Sequence, residues 1–385
     1  MKNAELAAPV APLGLIVMDN CKELGEAVNN ALVQTRHRKG KESHILSQGY
    51  VEENFIVPHN IPRFGTGEAK ASILHSIRGM DLFILTDPIN NSMNYKIHQD
   101  TNRKSPDDHF QDLKRIIAAC GGHPHRITVI MPFLYEGRQH RRSKLESLDC
   151  ALMLQELTQM GVENFITFDA HDPRVQNAIP IKGFENFFTS FQFIQALIQT
   201  EPKLQIDSEH LMVISPDEGG MSRSVYYANV LGVDMGMFYK RRDYSTIVNG
   251  KNPIVAHEFL GNDVAGKSVF IVDDMISSGE SMLDVAKELK KRNADKVYIA
   301  TTFGIFTDGL ELFDRAYEEG IINHIFTTNL TYTLPELCNR PYYTSVDLSR
   351  YLATIIDTLN VDESVSEILN PIDRIHALLE MHTKL

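Results

Sequence analysis

The sequence predicts an α/β protein made of two tandem units, each a mainly parallel sheet flanked by helices. Three observations predict it. Short apolar runs recur along the 385 residues, and most are continuous rather than alternating, as suits parallel strands covered on both faces. Helical patterns fill the intervals, so right-handed crossovers join the strands. The runs are also too many for one sheet of ordinary size, which implies two.

Taken in order, the expected strands of the first unit are LGLIVM (13–18), DLFILTD (81–87), RITVIMPF (126–133) and NFITFDA (164–170). Those of the second are LMVISPD (211–217), VDMGMFY (233–239), SVFIVDD (268–274), KVYIATTFGIF (296–306) and HIFTTN (324–329). SPDDHFQDLKRIIAACG is expected to be a helix, with Ser105 as N-cap, Pro106 at the first helical position and Gly121 at its end. SLDCALMLQELTQMG is another, closing at Gly161. Met282, Val285, Ala286 and Leu289 mark one face of a third. The segment 34–55, rich in Lys, Arg, Gly and Ser, reads as a loop or insertion, and the tail beyond 352 reads as helical. Domains are placed at 1–190 and 191–350, with a helical tail, 351–385, packing back on them.

The net charge of −12 argues against a nucleic-acid surface. It leaves room for phosphorylated small molecules, which local basic groups and metal ions can hold. No apolar run reaches the roughly 18 residues of a membrane span. The opening MKNAELAAPVAPLG lacks the basic-then-apolar order of a secretory signal, so a cytoplasmic protein without membrane contact is expected. The cysteines, Cys21, Cys120, Cys150 and Cys338, form no CxxC pair, which speaks against a zinc or thiol-redox site. Cys120 and Cys150 read as small core residues.

Ligands of open α/β sheets bind beyond the carboxyl ends of strands. In SVFIVDDMISSGESMLDVAKELKKR (268–292) an apolar run drives into Asp273 and Asp274, and Ser277-Ser278-Gly279-Glu280-Ser281 then opens a helix. The positive end of a helix favours an anion. Gly279 lets a ligand approach the backbone closely, and the hydroxyls add donors. Paired carboxylates suit the vicinal hydroxyls of a sugar, or a hydrated magnesium ion. Together these residues describe a sugar-phosphate site. Ser277 with Glu280 also fits an S-x-x-E capping box.

Other strand ends carry chemistry too. Asp169 and His171 close one in FITFDAHDPRVQNAIPI, and Asp217 closes another before Gly219-Gly220. Arg138 and Gln139 follow a strand in MPFLYEGRQHRRSK, where an Arg can fork onto phosphate. Lys240, Arg241 and Arg242 follow a further one. RFGTGEAKASILHSIRGMDLFIL (63–85) presents Phe64, Thr66 and Glu68 around a turn at Gly67.

From residue 60 to 350 these stretches resemble, in order and spacing, the ribose-phosphate pyrophosphokinase (PRPP synthase) family of the type I phosphoribosyltransferase-fold group. IVDDMISSGES resembles that group's PRPP-binding motif. The resemblance implies two tandem type I phosphoribosyltransferase-like domains, an ATP side and then a ribose 5-phosphate side. It implies transfer of the β,γ-diphosphoryl group of ATP to the C1 hydroxyl of ribose 5-phosphate, giving PRPP and AMP. Phe64, Thr66 and Glu68 would meet the adenine of ATP in a neighbouring subunit's site, with Arg138 and Gln139 also on ATP. Asp273, Asp274, Ser277, Ser278, Gly279, Glu280 and Ser281 would hold ribose 5-phosphate. His171, Asp169 and Asp217 would serve Mg2+, and Lys240 and Arg242, on a mobile flap, would steady the transition state. A homo-oligomer assembled from dimers, up to a hexamer, is implied as well. The chain departs from the family's pattern where Ser277 and Ser278 replace an Asp and a Thr, and where HRRSKLESLDC replaces a basic Arg-Pro-containing stretch. The alternatives are a catalytically silent synthase-like subunit, a type I phosphoribosyltransferase consuming PRPP, and a generic Mg-dependent sugar-phosphate binding module.

Overall fold

In the computed structural model, which describes residues 8–42, 49–242 and 254–383, the chain divides into two units. The first runs up to Phe188 and includes Asn329–Tyr332 and Asp347–Asn370. The second comprises Thr189–Thr328, Thr333–Val346 and the stretch from Pro371.

The first unit opens with β1 (Leu13–Val17), α1 (Lys22–Glu42), the short pair β2 (His59–Asn60) and β3 (Ser72–Ile73), and β4 (Asp81–Leu85). A hairpin of β5 (Asn94–Ile97) and β6 (Asp100–Arg103) leads to α2 (Pro106–Cys120) and β7 (Arg126–Ile130). After these come α3 (Asp149–Gln159), β8 (Asn164–Phe168) and β9 (Gly183–Phe187). Five strands pair in the all-parallel order β1-β4-β7-β8-β9. β1 and β4 are buried at every position, which is why they read as unbroken apolar runs. β9 gives no such signal, because GFENF forms the sheet edge and is only half-buried along most of its length. α2 starts as expected. Ser105 Oγ accepts from the Asp108 amide, Asp108 Oδ2 accepts from the Ser105 amide, and Gly121 closes the helix in the left-handed conformation. Cys120 and Cys150 are fully buried, and burial pushes both thiols up to about 12.

The second unit contains α4 (Ser190–Thr200), β10 (Leu211–Ser215), α5 (Met221–Leu231), β11 (Asp234–Arg242), β12 (Ile254–Leu260), β13 (Ser268–Ile276) and α6 (Glu280–Lys291). β14 (Val297–Gly304), α7 (Glu311–Glu318), β15 (His324–Thr328) and β16 (Tyr343–Val346) complete the sheet layer. Its strand order is β12-β11-β10-β13-β14-β15-β16, parallel throughout except for β12, which runs antiparallel to β11. The apolar face of α6, including Met282, Val285, Ala286 and Leu289, joins the core with Ile271, Val297 and Ile299. The C-terminal stretch is shared out. α8 (Ser349–Asn360) and α9 (Ser366–Leu369) belong to the first unit, and α10 (Ile372–His382) belongs to the second. No helix among the described residues is long and apolar enough to cross a membrane.

α1 corrects the reading of 34–55 as a loop, since the helix continues to Glu42. The buried face of its last turns is polar. Arg36 is fully buried and donates at 2.7 Å both to Asp357 Oδ1 and to Asn360 Oδ1 on α8. Its guanidinium also lies over the rings of Tyr50 and Phe55. A basic stretch thus serves as core because its charge is paired and its plane is stacked.

Candidate functional site

The paired aspartates lie inside β13 and not at its end, since the strand continues to Ile276. Successive residues of a strand face opposite sides. Asp273 looks toward α5: its Oδ1 accepts from Arg223 Nη1 at 3.1 Å, and a Cβ added at Gly220 would stand 3.5 Å from the same oxygen. Asp274 is 5% exposed. Burial, followed by the nearby Asp274 and Asp217 charges, raises the Asp273 carboxyl well above the usual range, and Arg223 offsets part of this.

The loop after β13 is shaped by one glycine. Gly279 holds φ at 89°, and a Cβ there would stand 2.1 Å from Cζ of the fully buried Phe313. Glycine is therefore required twice over, by backbone conformation and by space. The expected capping box between Ser277 and Glu280 does not form. Gly279 occupies the N-cap and no side chain caps the helix, which begins at Glu280. The Ser277 carbonyl instead accepts from the Thr307 amide at 3.0 Å, which ties the loop to the segment that follows β14. The N-terminal end of α6, at Glu280, carries the positive end of the helix dipole, which favours an anion at the 277–281 loop.

Asp217 follows β10 as expected. Its Oδ1 accepts from the amides of Gly219 (2.9 Å) and Gly220 (3.3 Å), and Ser215 Oγ donates to its carbonyl at 2.7 Å. In the second unit the structure thus brings Asp217, Asp273 and Arg223 around Gly220. Arg223 escaped the sequence reading; an Arg in the first turn of the helix after Gly219-Gly220 is the signal that could have found it. Lys240 and Arg242 lie within β11 and not after it, in register with His257 and Ile254 of β12. The resemblance implies a mobile flap carrying these two residues; the residues that follow them, 243–253, lie outside the described residues.

The first unit holds the remaining candidates. Phe64, Thr66 and Glu68 sit on a tight turn closed by Phe64 N–H donating to the Glu68 carbonyl and Gly67 N–H donating to the Phe64 carbonyl. Phe64 is 53% exposed. Thr66 Oγ1 donates to Glu68 Oε2 at 2.9 Å. Arg138 and Gln139 are exposed on the turn after β7, where Glu136 adopts a φ of 56°. Asp169, just past β8, is buried with a φ of 44°, and its amide donates to the Phe187 carbonyl. His171 is exposed, with its ring 5.4 Å from that of His140. His140 is a further residue the sequence did not single out, although it adjoins Gln139; its Nε2 lies 3.5 Å from Asp172 Oδ2. Arg174 holds the Asp172 carboxyl down at about 2.

Magnesium takes oxygen ligands, keeps several waters and is commonly held by one or two carboxylates together with substrate phosphates. Asp217 and Asp273 are donors of that kind in the second unit, and Asp169 is one in the first. Among the described residues no group of three or more His, Cys, Asp or Glu is arranged to enclose a metal ion. These carboxylates fit magnesium arriving with substrate phosphates.

Residues 13–161 match the family model for the N-terminal domain of ribose phosphate pyrophosphokinase, and residues 191–325 match that of the phosphoribosyl transferase domain. The chain belongs to the ribose-phosphate pyrophosphokinase family. Ribose-phosphate pyrophosphokinase of Chlorobaculum tepidum is 29% identical over 306 residues, covering 79% of this chain and 84% of the relative. The enzyme of the same name from Vibrio parahaemolyticus is 26% identical over 314 residues, covering 81% and 90%. The crystal structure of phosphoribosylpyrophosphate synthetase from Mycobacterium smegmatis superposes with a TM-score of 0.71 over 90% of this chain and 98% of that one. At 20% identity this likeness speaks for the fold, two phosphoribosyltransferase-type domains with parallel sheets flanked by helices.

Proposed function

We propose that the chain is a ribose-phosphate diphosphokinase, transferring the β,γ-diphosphoryl group of ATP to the C1 hydroxyl of ribose 5-phosphate to give PRPP and AMP. One observation carries this reading: the family match runs through both units, with relatives aligned over about four fifths of the chain. A type I phosphoribosyltransferase would need only the second unit.

In this reading the phosphate of the sugar sits on the amides and hydroxyls of Ser277, Ser278, Gly279, Glu280 and Ser281. Asp273, on the face of β13 turned toward α5, meets a furanose hydroxyl, and Asp274, on the opposite face, backs the same site. Phe64, Thr66, Glu68, Arg138 and Gln139 hold ATP, in a homo-oligomer in which the turn serves a neighbour. Asp217 in the second unit, and Asp169 and His171 in the first, would serve magnesium, which would supply charge neutralisation on the phosphates. Lys240 and Arg242 offset the charge that develops on the transferred group. Such chemistry rests on positioning and electrostatics, with no protein nucleophile. We place the protein in the cytoplasm, acting on small soluble substrates and on neither membrane nor nucleic acid.

The test is AMP release from ATP and magnesium with and without ribose 5-phosphate. AMP formed only when the sugar is present supports the assignment. ATP binding without turnover would identify a silent subunit, and pyrophosphate release from PRPP with a nucleobase would identify a transferase; either overturns it.

A further inference from the structure

The turn that carries Phe64, Thr66 and Glu68 has little to hold it in place by itself. Its tip is exposed, and two of its five residues are glycines, which resist ordering. What orders it lies behind. Arg63, at the base, pairs across to Ala69 as an antiparallel bridge. Its side chain is only 10% exposed, and Nη1 donates to the Gly67 carbonyl at 3.0 Å. That carbonyl belongs to the peptide leading into Glu68. Nη2 donates to Asp112 Oδ2 at 3.0 Å, and the guanidinium lies 4.2 Å from the centroid of the Tyr95 ring.

The partners of Arg63 are themselves immobilised. Asp112, 1% exposed, also accepts from Lys104 (2.8 Å) and Arg115 (2.7 Å). Tyr95 belongs to the β5–β6 hairpin, whose tip residue His98 donates its amide to the Gly65 carbonyl at 3.2 Å. Ile97 of the same hairpin packs so closely that a Cβ at Gly67 would stand 3.0 Å from its Cδ1. One carbonyl on each side of Thr66 is thus fixed from outside the turn.

We propose that Arg63, stacked on Tyr95 and anchored to Asp112, is a positioning residue for the nucleotide. It presets the Phe64–Glu68 turn so that the ordering cost is met on folding and is not charged to ATP binding. The proposal rests on the ATP reading of that turn. Losing this preorganisation weakens ATP binding more than it slows the chemical step.

The experiment compares Arg63→Ala, Arg63→Lys, Tyr95→Leu and Phe64→Ala in the full-length protein, reading KM for ATP, KM for ribose 5-phosphate, kcat and thermal unfolding. Arg63→Ala should raise KM for ATP by about tenfold and leave KM for ribose 5-phosphate within about twofold. Arg63→Lys, which keeps the charge on Asp112 but not the planar fork, should recover part of the loss. If Phe64→Ala raises KM for ATP and Arg63→Ala does not, positioning fails while the ATP reading stands. If neither does, the turn does not serve ATP and both fall. If Arg63→Ala acts and Phe64→Ala does not, Arg63 touches nucleotide itself and the positioning role is overturned. Should Arg63→Ala not fold, Tyr95→Leu decides: a raised KM for ATP supports the proposal and an unchanged one overturns it.

Discussion

Replacing Gly279 with alanine puts the sugar-phosphate loop under direct strain. The backbone there holds φ at 89°, which costs an L-residue about 1 kcal/mol. The new methyl would start 2.1 Å from Cζ of Phe313, a fully buried ring packed edge-on against Phe306 with centroids 5.0 Å apart. Neither ring can swing into solvent, so relief must come from shifting α7 or the loop, at roughly 1–3 kcal/mol for overpacking. The sum, about 2–4 kcal/mol, corresponds to a melting shift on the order of 5–15 °C for a unit of this size. Function should suffer more than stability, because displacing a binding loop by an ångström can cost on the order of 100-fold in rate. Thermal unfolding and the KM for ribose 5-phosphate, measured for Gly279→Ala and for Gly279→Ala with Phe313→Leu, check this. The double variant should regain the steric part of the stability and keep the backbone part. A Gly279→Ala protein that melts and binds ribose 5-phosphate like the parent would refute the reasoning.

Three further outcomes are expected. Asp273→Asn should abolish most ribose 5-phosphate-dependent AMP release while leaving the melting temperature at pH 7.5 unchanged or higher. The folded carboxyl is raised by burial, so its stability contribution is present below the unfolded pKa and lost as pH rises toward the folded one; a large drop in stability would contradict this. Asp87, 2% exposed and pushed up by burial to about 7, accepts from the amides of Tyr332 (2.8 Å) and Ile89 (3.2 Å). By the same sign, the parent should lose on the order of 2–4 kcal/mol between pH 4 and pH 7, and Asp87→Asn should flatten that slope in calorimetric scans across the range. Arg36→Met leaves Asp357 with Lys39 as its remaining cation at 2.7 Å, so the cost should fall near the lower end of about 3–5 kcal/mol. Adding Asp357→Leu should return part of it in a double-mutant cycle followed by denaturant unfolding, and simple additivity would sink that account.

Much of the fold was legible because parallel strands buried on both faces need continuous apolar runs, as in β4 and β13. The capping of α2 was legible for a local reason too, since Ser105 and Asp108 satisfy each other's amides within one turn. The same local logic failed at Ser277 and Glu280. There the chain turns left-handed at Gly279 beside Phe313, and the helix starts too late for that serine to cap it. β9 was hidden because an edge strand needs no apolar run, and the end of α1 because its buried face is charged.

What the sequence determined by itself was the alternation of elements, the carboxylates Asp169 and Asp217 just past strand ends, and the small-residue loop before α6. Each follows from periodicity or backbone chemistry within about a dozen residues. Only the tertiary structure decided that Arg223 faces Asp273, that Arg63 braces the Phe64–Glu68 turn through Tyr95 and Asp112, and that Asp87 and Asp357 are buried. These depend on residues far apart in the chain, up to 321 positions, meeting in space. A charge can stay inside a core only where such partners arrive, and no local pattern records their arrival.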